Sequence, residues 1–327
     1  MYAQHKKVEF YENTEEWYYI SLREKIQSHL PDDAFIKYED GLHYGFKDEH
    51  GNILIPAVYD YVYSFQEGLA PAQLKGKFGY IDKSGKVAIP FIYEETEAFS
   101  EGYAPVIIDG RYTFIDKKGR RMMPNVYDTL DTFVDGMSIA SRDFNWGCID
   151  KNFKEAVPFI YDDLYTFSEG LAAASYEGKF GFIDKNNNAV IPFMYEFAHS
   201  FSQGLAGVEI ESKMGFINKY GEVVIPPIYD CVEEFTEGRA LVGIGDKVGF
   251  IDKKGREVVP MIYDSAYSYK EGFALVKLNN KFGFIDKKGR QITEIKYEKA
   301  RVFVDGIAKV MLDGRYIYID TEGNEVE

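Results

Sequence analysis

The sequence predicts an all-β repeat protein: an open solenoid or superhelix of about nine 34-residue, three-stranded antiparallel units behind an N-terminal helical cap. Three observations lead there. The first is an unbroken period. Gly45, Gly79, Thr113, Gly147, Gly181, Gly215, Gly249, Gly283 and Ile317 follow one another at steps of 34. Tyr recurs at the same step from Tyr59 to Tyr297, each time followed by Asp or Glu, and Gly from Gly68 to Gly306. The second is a proline in the middle of most units, from Pro56 to Pro260, beside two or three glycines. A helical hairpin, the other common 34-residue repeat, would lose roughly 3 kcal/mol for each interior Pro and about 1 for each Gly. The third is local alternation, as in Phe180-Gly181-Phe182-Ile183-Asp184, which is a strand signal.

The elements follow in order. Residues 1–35 read as the cap: Asn13 or Thr14 can start a helix over 15–30 that Pro31 stops, with Trp17, Tyr18, Leu22 and Ile26 on its apolar face. Residues 36–327 read as the array, eight full units and a partial ninth. In one unit, 77–82 is a strand, 82–85 a tight turn, and 86–90 a second strand that Pro90 closes because proline has no ladder N–H. Tyr93, Thr96 and Phe99, spaced three and three, allow one helical turn, and Gly102 suits a left-handed stop. A third strand spans 103–108, and Asp109-Gly110 turns the chain back.

The turn Asp-Lys-Lys-Gly, as at 116–119, suits a type I turn followed by a left-handed glycine, with the Asp carboxylate accepting a backbone N–H two residues on. Phe153 and Asn187 stand where that glycine belongs. Asn tolerates the left-handed region and Phe does not, so the turn at Phe153 is expected to be altered or strained. A closed propeller-like ring is the alternative architecture, because 35–39 reads as a third strand and 315–326 as a first and second, which together would complete one blade.

The run Asn145-Trp146-Gly147-Cys148-Ile149-Asp150, with Val157-Pro158, Tyr161-Asp162, Phe167 and Glu169-Gly170, resembles the WG-repeat family, and the likeness extends over about residues 36 to 326. Only Trp146 keeps tryptophan at that column; Tyr44, Phe78, Tyr112, Phe180, Met214, Val248, Phe282 and Tyr316 replace it elsewhere. The resemblance implies mostly bacterial repeat proteins with no established catalytic activity, and it carries no catalytic residue over.

Composition excludes several classes. The 53 acidic against 38 basic residues give a net charge of −15, which disfavours nucleic acid and anionic membranes. No apolar run has the length of a membrane span. Two cysteines, Cys148 and Cys231, make no disulfide framework, so a reducing, cytoplasmic compartment is expected. The five histidines show no metal-ligand spacing, and no nucleophile elbow, phosphate loop or dinucleotide fingerprint occurs. No enzyme activity, cofactor or metal is expected.

Fixed columns read as fold: the recurring Asp caps turns, and the Tyr-acid pair packs and ties a connection. Sixteen of the 38 cations, from Lys83 to Arg290, sit in or beside the Asp turns and read as solvated tips that blunt strand edges. Function is sought in two variable columns. One reads Tyr63, Glu97, Asp131, Tyr165, His199, Glu233, Tyr267, Arg301; the other reads Tyr61, Glu95, Thr129, Asp163, Phe197, Cys231, Ser265, Lys299. Such mixtures suit a protein-binding face, with Tyr61, Tyr63, Tyr165, Phe197, His199 and Tyr267 as its candidate contacts. The expected function is a non-enzymatic scaffold for protein partners; a glycan or small ligand held by the exposed aromatics is the alternative.

Overall fold

The computed structural model describes residues 27–326. They fall into two compact units, one of residues up to Asp143 with Ile149–Lys154, the other of Phe144–Cys148 with the residues from Glu155 on.

In the second unit, one sheet shows the plan. Its strands are Asp163–Leu164, Leu171–Tyr176, Lys179–Asp184 and Ala189–Tyr195, adjacent in that order and all antiparallel. Glu169-Gly170 and Glu177-Gly178 join the first three strands. All four residues have φ between 50° and 91°, as a two-residue type I′ hairpin requires. The recurrent Glu-Gly is therefore a hairpin signature. Asp184 makes the next turn by accepting the Asn186 and Asn188 N–H groups on one carboxylate oxygen, at 2.9 and 2.8 Å. The sheet from Tyr61–Val62 to Val87–Tyr93 in the first unit repeats this order.

The fourth strand corrects one expectation. Proline does not close it but sits inside it, at a bulge. Phe180 faces Tyr195 and Phe182 faces Ile191, so four steps on one strand oppose two on the other. The extra residues of the bulge leave the missing proline N–H without a ladder role. They also fold over the motif glycine: a Cβ on Gly181 would stand 2.7 Å from the Ile191 carbonyl oxygen. The expected single helical turn is likewise a strand segment, Tyr61–Val62 in one sheet and Asp163–Leu164 in another. Two residues are too few to show alternation.

The turn at Phe153 keeps the common form: Phe153 has φ 60° and donates its N–H to the Asp150 carbonyl at 2.9 Å. Its ring packs within the first unit against Tyr103 and Phe114, at 5.0 and 6.0 Å between centroids. That contact offsets the left-handed strain.

The core lies between sheets. In the second unit Leu171, Ala173, Phe182, Ile191 and Tyr195 of one sheet pack on Ala198, Phe201, Ala206, Val208 and Ile217 of the next. In the first unit Leu69, Tyr80, Ile89 and Tyr93 meet Phe99, Ala104, Val106 and Ile115 in the same way. This corrects the open solenoid. Each sheet is a self-contained meander whose ladders end at its own edges, and neighbours touch face to face, so the sheets are blades of a β-propeller. The propeller-like alternative is the one that holds. The expected helical cap is corrected where it is described: a helix end at 27–29 and a 3-10 turn, Asp32–Ala34, precede the first strand, Ile36–Asp40. The rest of that expectation, including Asn13, Thr14 and the apolar face, lies outside the described residues.

Candidate protein-binding surface

The two variable columns flank the short first strand of a blade, as at Tyr61–Val62, or the isolated bridge that stands in its place, as at Ala198. Column members two residues apart share a face, so a pair such as Tyr61 and Tyr63 points the same way. Opposite each pair stand the residues of the second strand. Tyr61 faces Gln73, and the Tyr63 N–H donates to the Pro71 carbonyl at 2.9 Å.

The structure brings the candidates together in two aromatic runs. In the first unit the ring centroids of Tyr44 and Tyr61 are 5.1 Å apart, of Tyr61 and Tyr63 5.0 Å, and of Tyr63 and Phe78 6.3 Å. Lys37 lies over the Tyr61 ring and donates to the Tyr61 hydroxyl at 2.9 Å. In the second unit Tyr165 meets Phe180 at 5.9 Å, Phe180 meets Phe197 at 5.4 Å, and Phe197 meets His199 edge-on at 4.9 Å. Gly207 makes room for His199: a Cβ there would stand 3.0 Å from the imidazole Cδ2. Tyr267 joins neither run; its ring is 56% exposed.

Tyr44, Phe78 and Phe180, which complete these runs, belong to the column that carries tryptophan at Trp146. Sequence reasoning did not include that column among the candidate contacts. The signal was present as spacing, since each such ring meets the residue 17 positions later or 15 earlier.

Burial, and after it the neighbouring Tyr61, Glu97 and Glu95, pushes the Tyr63 phenol above its ordinary range. Burial and Asp163 do the same for Tyr165. Both hydroxyls therefore stay neutral donors near pH 7. The next two blades in the first unit carry acids in these columns, Glu95 and Glu97 in one and Asp131 in the other. Burial raises Asp131, and burial followed by Glu95 and Glu97 raises the Tyr112 phenol.

The basic tips are not simply solvated. Lys117 and the Gly102 N–H both engage Glu67; Lys151 and Gly136 engage Glu101; Lys219 and Gly204 engage Glu169. Each clamp joins two consecutive blades of one unit. Arg120, Arg256 and Arg290 instead pair with the Asp of their own turn. The Asp column caps turns throughout, and Asn218 does the same by accepting the Tyr220 and Glu222 N–H groups at 2.9 and 3.1 Å. Among the described residues no three His, Cys, Asp or Glu side chains are grouped to hold a metal, and no helix is long and apolar enough to cross a membrane.

In backbone fold the chain is similar to the crystal structure of the eukaryotic initiation factor, with a TM-score of 0.58 at 10% identity over 89% of this chain and 94% of that one. Dihydro-heme d1 dehydrogenase NirN aligns with a TM-score of 0.47 at 14% identity over 92% of this chain and 74% of that one. Hsv2p of Kluyveromyces lactis aligns at 0.39 and 10% identity over 69% and 92%. At these identities the first likeness is one of fold alone. No curated protein matches the sequence. The repeat model described as WG containing repeat matches residues 44–78, 78–112, 146–180, 180–213, 214–247, 249–282 and 282–316. It passes over the unit in which Thr113 replaces the motif glycine. With seven matches spread over most of its length, this chain belongs to the WG-repeat family.

Proposed function

We propose that this protein is a non-enzymatic scaffold that binds protein partners through the variable columns of its blades. One observation supports this reading above the rest: Tyr61, Tyr63, Tyr165, Phe197 and His199 gather into two partly exposed aromatic runs. Rigid rings with a polar tip give large contact area at low entropic cost, as binding hot spots do. Cys148 and Cys231, which are not joined in a disulfide, suit the cytoplasm as the place of action.

The test uses the purified chain as bait in extract of the source cell, beside a glycan array. Two double variants accompany it, Tyr61→Ala with Tyr63→Ala and Phe197→Ala with His199→Ala. A defined protein is captured by the parent and lost from at least one variant that still melts cooperatively. Capture that survives both variants refutes the assignment to these columns. Sugar binding lost with Tyr61 and Tyr63, with no protein captured, replaces this reading by the glycan one.

A further inference from the structure

The last blade carries a feature that the aromatic reading leaves aside. Its strands Lys299–Ala300, Ile307–Leu312 and Arg315–Asp320 set Lys299 opposite Met311 and Met311 opposite Tyr316. Beside this row the Arg301 N–H donates to the Lys309 carbonyl at 2.9 Å, and Lys309 faces Tyr318. The alternation of side chains puts Lys299, Arg301, Lys309 and Tyr316 on one face, while Ala300, Val310 and Ile317 turn to the core. Lys299, Ala300, Arg301, Lys309 and Tyr316 line a cavity of about 320 Å³, at the lower end of the small-ligand range.

Three cations thus converge on one cavity whose lining, among the described residues, holds no carboxylate. Among the described residues none of the three has an ion-pair partner, in a chain of net charge −15 whose other basic side chains are often paired. Lys309 rests over the Tyr316 ring at 4.7 Å, which fixes the ammonium at the cavity wall without neutralising it. Like charges side by side destabilise a sheet, so the cluster does not serve the fold. It also departs from the repeat. Where this blade has Arg301 with Lys309, the others of the second unit have Tyr165 with Ala173, His199 with Gly207, Glu233 with Leu241 and Tyr267 with Leu275.

We propose that this cavity binds a small ligand through a multiply charged oxyanion of the phosphate class. A planar guanidinium offers paired N–H donors to two oxygens, and two ammonium groups suit the remaining charge. A single carboxylate would leave two of the three cations uncompensated.

The test is calorimetric titration of the full chain with pyrophosphate and with orthophosphate at low ionic strength. Pyrophosphate binds at one site, more tightly than orthophosphate. Arg301→Gln and Lys309→Gln each weaken it about tenfold or more. Lys254→Gln, which removes an exposed hairpin-tip cation elsewhere in the same unit, leaves the affinity unchanged. Thermal melts of the ligand-free variants match the parent, so a loss of binding reports the site and not the fold. No saturable heat with pyrophosphate overturns the proposal. So does an affinity untouched by Arg301→Gln, or one weakened equally by Lys254→Gln. Neither arm uses a protein partner, so its failure leaves the scaffold reading standing, and the reverse holds too.

Discussion

Two blades, one in each unit, differ at the motif glycine and at almost everything that follows from it. In the blade of 163–195 Gly181 lets the proline bulge close over the third strand, and the fourth strand runs seven residues. In the blade of 103–127 Thr113 holds the glycine's place. The following segment touches its neighbour only at isolated bridges, Tyr112 with Tyr127 and Ile115 with Arg121. The Thr113 hydroxyl donates to the Met123 carbonyl at 2.6 Å, where a ladder bond would otherwise form. The blade of Gly283 reaches the same loss from the other side. Its glycine is kept, but Glu294 replaces the proline, and Thr293 accepts the Phe284 N–H on its hydroxyl at 3.1 Å. Glycine and proline therefore work as a matched pair across two strands. Without either one, a threonine hydroxyl takes over part of the ladder.

The sharpest way to break this comparison is Gly181→Thr. A Cβ there meets the Ile191 carbonyl oxygen at 2.7 Å and Phe193 at 2.9 Å, and backbone cannot swing aside as a side-chain end can. The expected loss is about 3 kcal/mol in urea unfolding, with amide protection gone from 189–195. A loss below about 1 kcal/mol would mean that the bulge adapts, and Thr113 would not explain its blade. The companion change Thr113→Val keeps the shape but strands the buried Met123 carbonyl, which costs about 1–3 kcal/mol.

Second in size is Phe153→Gly. Deleting a packed ring costs about 3–5 kcal/mol, and relief of the left-handed backbone returns about 1–2. The net destabilisation is therefore about 2 kcal/mol, although glycine is the residue that the repeat uses there. A stabilised variant would show that the contacts with Tyr103 and Phe114 contribute little. Asn187, the other departure, has its own compensation: its side-chain oxygen accepts the Tyr161 hydroxyl at 2.5 Å.

How much of this was legible in the sequence follows from what a period can encode. Lys77–Asp82 and Tyr103–Ile108 were placed to the residue, because alternation and turn glycines bound them on both sides. Tyr61–Val62 was missed because two residues carry no pattern. Val87–Tyr93 was cut short at Pro90 because a bulge looks like a strand end when its partner is unseen. Solenoid and propeller share one period, since the period fixes the unit and not the rotation between units. At the site, the variable columns were legible as the places that the fold leaves free. The rings joining them were not, because Phe78 and Phe180 belong to a column that recurs. The cavity at Lys309 was hidden for a similar reason: its lining comes from three strands, and only two of its cations lay in the columns singled out.

Acid separates two turns of the second unit that otherwise match. The side chain and then the backbone of Asn188 hold the Asp184 carboxyl below its ordinary value of 3.8. A depressed carboxyl contributes stability that is complete above that value and is lost as pH falls through the lower, folded one. The Asn218 turn makes the same backbone bonds with an amide that does not titrate. As pH falls below 3.8, amide exchange at Asn186 and Asn188 speeds up relative to that at Tyr220 and Glu222. Equal acceleration would show that global unfolding, and not the Asp turn, governs the acid response.

The smallest expected effect concerns the clamps, and the protein already contains the comparison. Glu169 takes both the Gly204 N–H and the Lys219 ammonium on its carboxylate, and Lys219 also donates to the Glu169 carbonyl at 2.8 Å. One blade on, Gln203 fills the same place: its amide oxygen accepts the Gly238 N–H at 2.9 Å, and Lys253 donates to the Gln203 carbonyl at 2.8 Å. The backbone half of the clamp thus survives without the charge. Glu169→Gln should cost no more than about 0.5 kcal/mol, because the ion pair is partly exposed and water screens it. Salt at about 0.5 M should erase that difference between parent and variant. Glu169→Ala removes the acceptor for the Gly204 N–H as well, so it should cost more than the amide variant and keep its penalty in salt. If the two variants lose equally, and salt removes both losses, charge and not the shared hydrogen bond ties one blade to the next.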